Sequence, residues 1–322
     1  MNRINTGAEE SMPGTRQGPR SIQSSGFLLA LSDDWRVESA SANVADFLGV
    51  TPAQMIGSAA LDFVAEDAVH SLRNRLALVR DPDGIERLFA CQLLNDDRRF
   101  DLAIQMAGDQ VILEAEPSSG KLYGDVTGTL RGMMARLDQP DDLPGFCTAG
   151  ARQMRALTGY DRVMVTRLDE DGTGTVIAEA SRGSADRPVG AQVPTAGLAA
   201  YELAACRRTA LHVIADAEAE PVPIISGVSG GPGMPDLARA VLRSASDGQL
   251  KHLREMGARS SVIIALEVDG ALWGMICCHH NAPRRITFER RAMAELFAGM
   301  FALRIEIAEL KSALSGGPAS TA

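Results

Sequence analysis

The chain has 322 residues, 45% of them apolar, and a formal net charge of −9. That length carries two ordinary domains with a core each. An acidic balance without a dense Lys/Arg stripe excludes a nucleic-acid surface, and no apolar run reaches the ~20 residues of a membrane-spanning helix. The opening MNRINTGAEESMPG is too polar for a secretory signal, so the expected location is the cytoplasm, away from membranes. Five cysteines, Cys91, Cys147, Cys206, Cys277 and Cys278, form an odd set without paired spacing and read as reduced, mostly buried thiols. With no nucleophile elbow, phosphate loop, metal-spaced cluster or paired carboxylates, the chain does not read as an enzyme.

Residues 1–24 are polar and rich in Gly, Pro and Ser, the composition of a mobile arm. Strands are predicted over 27–31 and 35–39 around a turn at Asp33-Asp34, then a helix over 41–48 capped by Ser41, with Val44, Phe47 and Leu48 inward. A helix over 62–79 turns Val69, Leu72, Leu76 and Leu78 mostly inward, with His70 beside that face as a surface or structural histidine. Strands at 87–94, 99–106 and 110–117 follow, the second marked by alternating Phe100, Leu102, Ile104 and Met106. Helices over 123–137 and 142–158 are separated by Pro140, which divides a first domain, 25–138, from a second, 139–314.

The second domain opens with two strands around Asp169-Glu170-Asp171-Gly172, a solvated turn that lacks the alternating oxygen ligands and terminal glutamate of a calcium loop. Residues 195–210 read as a helix, and 220–234, EPVPIISGVSGGPGM, as a loop long for a compact domain. Leu250, Leu253 and Met256 share one face of a helix that Gly257 ends. Strands 261–268 and 272–279, joined by Asp269-Gly270, form a hairpin expected at the centre of a sheet. Thr287 is the candidate cap of a helix over 288–314, and 315–322 read as a disordered tail. That helix is apolar around more than one stripe: docking Leu296, Met300, Leu303 and Ile307 on its own sheet leaves Met293, Phe297, Phe301 and Leu310 for a partner, so a homodimer through 288–314 is expected.

The sequence LRSxS, the helix ending in MG and the run VDGxLWGxIxCHH, with Trp273, Gly274, Cys278, His279 and His280 in order, resemble the chromophore-pocket half of the GAF domain of bacterial phytochromes. Residues from 27 onward resemble the start of a PAS fold, and the resemblance covers about 18–312. It implies an α+β chain: a PAS domain followed by a GAF domain, each an antiparallel sheet flanked by helices, with a long C-terminal helix. It also implies a figure-of-eight knot, in which an arm represented by Pro19-Arg20-Ser21-Ile22-Gln23 threads the 220–234 loop.

Members of that family hold biliverdin through an arm cysteine, an aspartate-isoleucine-proline motif with a histidine near the pyrrole nitrogens, and arginines on the propionates. This chain has no cysteine ahead of Cys91. On the family pattern Gly197-Leu198-Ala199 stands where aspartate, isoleucine and proline belong, Gln249 at the pyrrole-water histidine, and His212 at a propionate arginine. Thr166, Cys206 and His252 stand at pocket tyrosines, while Arg243, the other propionate arginine, and His279, which meets the last pyrrole ring, persist. Each survivor also has a structural reading, Arg243 as a cap or carboxylate partner and His279 as a core histidine. The resemblance therefore implies a remnant or remodelled pocket made of Arg243, His279, Gln249, His252, Gly197, His212 and Thr166. Each lost partner would leave a buried tetrapyrrole group unsatisfied at ~1–3 kcal/mol. The expected function is a sensory module that has lost covalent bilin attachment and light sensing, holds no cofactor, and serves as a dimeric signalling input to an output domain or partner protein. The alternative is a photoreceptor module that binds biliverdin non-covalently on Arg243 and His279.

Overall fold

The structure, a computed structural model, describes residues 20–78, 84–119, 124–137, 142–169, 173–183, 189–193, 211–227 and 234–315. In the first part of the chain β1 (Ser21–Ile22), β2 (Phe27–Leu31), β3 (Val37–Ser41), β4 (Ile85–Cys91), β5 (Phe100–Ala107) and β6 (Gln110–Pro117) are joined by α1 (Val44–Leu48), α2 (Pro52–Met55) and α3 (Glu66–Leu76). The helices close one face of the sheet, where Val44, Met55, Val69 and Leu72 meet Leu29, Leu31, Leu102 and Leu113. Trp35 takes a left-handed φ of 64°, which keeps the turn going and delays β3 to Val37, two residues later than predicted. Ser41 consequently ends a strand instead of capping a helix; its Oγ accepts the N–H of Leu28 at 3.0 Å, and the α1 N-cap is Asn43. The helix predicted over 62–79 shortens to α3, and Leu78, expected inward, is 62% exposed.

The second part contributes α4 (Val126–Ala135), α5 (Leu143–Thr158), β7 (Arg162–Leu168), β8 (Gly174–Ser181), β9 (Gln192–Val193), β10 (Leu211–Ile214), β11 (Val222–Ser226), α6 (Asp247–Glu255), β12 (Ser260–Val268), β13 (Ala271–His280) and α7 (Phe288–Ser315). Asp142 caps α5 by accepting the N–H of Gly145 at 2.9 Å, and Gly159, at φ 69°, ends it. The Asp269-Gly270 hairpin has positive φ at both residues, 51° and 69°, as its dipeptide demands.

Strand order is β10-β12-β13-β7-β8-β9 in the second sheet, which places the β12–β13 hairpin inside it. In the first sheet the order is β1-β11-β3-β2-β6-β5-β4. Strand β11 therefore lies within the stretch read as a loop, and it crosses to the first domain, pairing Ile224 with Ser41 while Ile22 of β1 pairs with Val222. Nothing local marks this, since the partners are nearly two hundred residues away in sequence. The expected knot involves residues 228–233, and the division between the domains falls on 138–141; both lie outside the described residues, as do the helix expected over 195–210 and the tail beyond 315. Helix α4, placed by sequence in the first domain, sends Leu130 and Met133 into the core of the second sheet.

Helices α5 and α7 cover one face of that sheet, packing Met154, Leu157, Phe297 and Phe301 on Val163, Val165, Val262, Ile264 and Ile276. Apart from Leu310, which stays off the sheet as expected, and Met300, which is half-buried, the faces of α7 are the reverse of those expected. Met293, Phe297 and Phe301 are buried at 2%, 0% and 0% exposure, whereas Leu296, Leu303, Ile307 and Leu310 are exposed. The cause is Gly150 on α5. A Cβ there would come within 2.3 Å of the Phe301 ring, so glycine opens a slot that an aromatic side chain fills and a leucine would not. Phe301 is further held by stacking on Phe146 at 4.7 Å.

Candidate functional site

Because side chains alternate along a strand, packing Val163, Val262, Ile276 and Cys278 on the helices turns their neighbours to the other face of the second sheet. The register arranges those neighbours in rows across the strands. One row runs His212, Ile263, Cys277, Met164 and Glu179; the next runs Ile214, Ser261, His279, Arg162 and Ser181. A third sets Ala265 beside Met275 and Thr166. Strand pairing thus brings His212, His279 and Thr166, three residues singled out from sequence, onto one surface.

Helix α6 closes an end of this surface through Gln249. Its backbone N–H goes to Ser246 Oγ at 3.1 Å, its Oε1 accepts the N–H of Ser246 at 3.1 Å, and its Nε2 lies 3.5 Å from His212 Nδ1. The first two bonds are a capping box, so Gln249 has a local structural duty as well as a place in the site. The Ser246-x-x-Gln249 spacing carries that signal in the sequence. His252 stands one turn further along α6 and is half-buried.

His212 is 4% exposed, and burial followed by the nearby Arg243 charge holds its imidazole well below the usual histidine range, so it is neutral. Its Nε2 has no hydrogen-bond partner among the described residues, nor has Oγ of Ser261, itself 1% exposed. Arg243 is buried, donates from Nη1 to the Ala240 carbonyl at 3.0 Å and acts electrostatically on both His212 and Glu114. His279 is buried on β13 and borders a cleft of about 400 Å³ shared with Asp161, Arg162, Glu179, Ser181 and His280. An ion pair, Arg162 to Glu179 at 2.7 Å, and a close approach of His280 Nδ1 to Asp161 at 2.5 Å frame that cleft. Gly197 and Cys206 lie outside the described residues.

Cysteine chemistry differs between the two sheet faces. Burial pushes the Cys147 thiol up to about 12, and that of Cys278 higher still, so both are inert packing groups. Cys277 is half-buried on the site face. Cys91, Cys147, Cys277 and Cys278 form no disulfide. Among the described residues no cluster of His, Cys, Asp and Glu is arranged to hold a metal ion. A neutral imidazole, an amide, a hydroxyl and a buried guanidinium around one surface are equipment for binding and orienting a molecule.

A GAF domain model matches residues 142–308, more than half of the chain, and a PAS fold model matches residues 15–118. This chain belongs to the GAF family and is a PAS–GAF module of bacteriophytochrome type. It is 32% identical to a bacteriophytochrome of Xanthomonas campestris pv. campestris (strain 8004), over 89% of this chain and 45% of that protein. It is 29% identical to a phytochrome-like protein of Synechocystis sp., over 86% of this chain and 38% of that one. The PAS–GAF module thus spans less than half the length of these curated relatives. Among solved structures, the chromophore-binding domain of a Stigmatella aurantiaca bacteriophytochrome superposes with a TM-score of 0.79 at 29% identity, covering 89% of this chain and 96% of that one. A bacteriophytochrome from the photosynthetic bacterium R. palustris gives 0.82 at 29% identity, covering 91% and 60%. The order PAS then GAF, each an antiparallel sheet flanked by helices, is the one the motifs implied.

Proposed function

We propose that this PAS–GAF module is a dimeric sensory input that has given up covalent attachment of a bilin and, with it, light sensing. One observation carries the reading: no cysteine stands between residue 1 and Cys91, so the arm has no thiol to form the linkage. The site residues agree with it. Gln249 is committed to the α6 cap, His212 is a neutral imidazole where the family places a propionate arginine, and Thr166 has no ring. These side chains do not fit the covalent tetrapyrrole mode. Purification from cells that make biliverdin, followed by absorbance and a zinc-stained denaturing gel, tests the reading. A colourless protein without a fluorescent band is expected, and a band at the mass of this chain refutes it.

A second reading, non-covalent biliverdin, is favoured by His212 Nε2 and Ser261 Oγ, buried without partners on the face that also carries His279. A polar ligand there would relieve ~1–3 kcal/mol per unsatisfied group. Visible absorbance without a zinc-fluorescent band is its signature.

The dimer rests on the face of α7 that turned out to be exposed. Leu296, Leu303, Ile307, Leu310 and Leu314 are 53%, 55%, 40%, 57% and 83% exposed, and half-buried Met300 completes a spacing alternating between four and three residues. That is the seam spacing of two packed helices. Light scattering is expected to give a dimer mass for the native chain and a monomer mass for a Leu303→Glu, Leu310→Glu variant; a monomeric native chain overturns the assignment. The module is placed in the cytoplasm, where it acts on an output domain or partner protein; no described helix is long and apolar enough to cross a membrane.

A further inference from the structure

The turn at residues 241–243 sits where the first sheet, the second sheet and the end of the arm meet. Glu114 of β6, fully buried, holds it from one side: Oε1 accepts the N–H of Leu242 at 2.7 Å, and Oε2 that of Val241 at 2.9 Å. Gln23 holds it from the other, its N–H on the Leu242 carbonyl at 2.7 Å and its Nε2 on the Arg243 carbonyl at 3.2 Å. Arg243 follows directly and is the charged neighbour of His212 on the site face.

Arg243 faces Glu114 from the turn and Arg291 from α7. Two residues along β6, Glu116 takes Arg291 Nη2 at 2.9 Å, and Arg239, ahead of the turn, donates to the Met106 carbonyl. From β5 comes the amide of Gln105, with Nε2 3.5 Å from Glu114 Oε2. Gln105 is 1% exposed and its Oε1 has no hydrogen-bond partner among the described residues. A half-turn of that amide presents this idle acceptor to a proton carried on Glu114 Oε2, so the pair is built to accommodate either protonation state.

We propose that Glu114 is a proton-operated latch of the PAS–GAF junction: because the carboxyl is shut away from water in the closed junction, its protonation favours the closed arrangement of the turn that carries Arg243 and its ionisation favours opening. Burial, the largest influence, lifts the carboxyl from 4.5 to about 7 against the opposing pull of the Leu242 and Val241 amides, Arg243 and Arg291. An opened junction would give the carboxyl water and its ordinary affinity for protons, so a proton binds the closed form more tightly. The closing contribution is therefore complete below the ordinary carboxylate range and is lost as pH rises through about 7. Since Arg243 is carried on this turn, the loosening reaches the polar face of the second sheet whether or not a ligand is bound there.

Hydrogen–deuterium exchange on the full chain, corrected for intrinsic rates, tests the latch at the amides of Val241 and Leu242, with the β12–β13 hairpin as reference. Between pH 5 and pH 8 the opening of this turn is expected to increase on the order of a hundredfold in the native chain. In Glu114→Gln, which cannot ionise, it is expected to stay constant within about threefold. Equal protection at both pH values in the native chain, or the same rise in the variant, overturns the proposal. If Glu114→Gln does not fold, Gln105→Leu serves: removing the acceptor for the proton is expected to shift the midpoint of the native profile to lower pH, and an unmoved midpoint counts against the latch.

Discussion

On the face of the second sheet that meets α5 and α7, Val163, Val165, Val262, Ile264 and Ile276 are shut away from water and need only close packing. Across the same strands, one residue out of step, stand His212, Ser261, Cys277, His279 and Thr166, polar or reactive groups among which His212 Nε2 and Ser261 Oγ have no hydrogen-bond partner among the described residues. The first face is closed to water throughout, while the second is buried at His212, Ser261, His279 and Thr166 and half-buried at Cys277; one spends burial on stability and the other on unsatisfied polarity. A sheet tolerates this because its backbone ladder is satisfied within the strands, so the two side-chain sets vary independently. The lesson is that the α5–α7 face builds the domain and the other face is available for function.

Four measurements press on that difference. The largest effect is expected from Phe301→Ala, which empties the slot at Gly150: a loss of ~3–5 kcal/mol in denaturant unfolding, with a loss below about 1 kcal/mol sinking the assignment of this face as the structural one. Next come the neighbouring thiols. Cys277, on the polar face, is expected to react with a thiol reagent in the native state on the order of a hundredfold faster than Cys278, whose labelling waits for unfolding; comparable native rates would mean the faces are not distinct. Gly150→Ala places a methyl against the Phe301 ring and is expected to cost ~1–3 kcal/mol by overpacking, read by the same unfolding curves. Smallest is His212→Leu. It removes a buried imidazole with an idle Nε2, so stability is expected to change by less than ~1 kcal/mol in either direction; a loss as large as that of Phe301→Ala would make His212 a structural residue.

Elements set by short-range chemistry were legible in the chain. Asp142 and Gly159 bracket α5 and Asp269-Gly270 dictates a tight hairpin, because in both cases the deciding interaction lies within a few residues, while the GAF sheet was legible through the family resemblance of the LWGxIxCHH run. Candidate site residues were legible as positions. His212, His279 and Thr166 do share a face, but only the register of four strands puts them there. Gln249 stood in a readable capping box, while Ser261 and Glu114 carried no local sign of their roles. Three matters waited for long-range contacts. An α7 apolar on several sides docks through Phe297 and Phe301 because Gly150, about 150 residues earlier, leaves room for a ring. Strand β11 reads as loop because its hydrogen-bonding partner β3 belongs to the other domain. Glu114 looks like any strand glutamate until the 241–242 amides and the closed junction take its water away, since desolvation belongs to the assembled fold and to no segment of it.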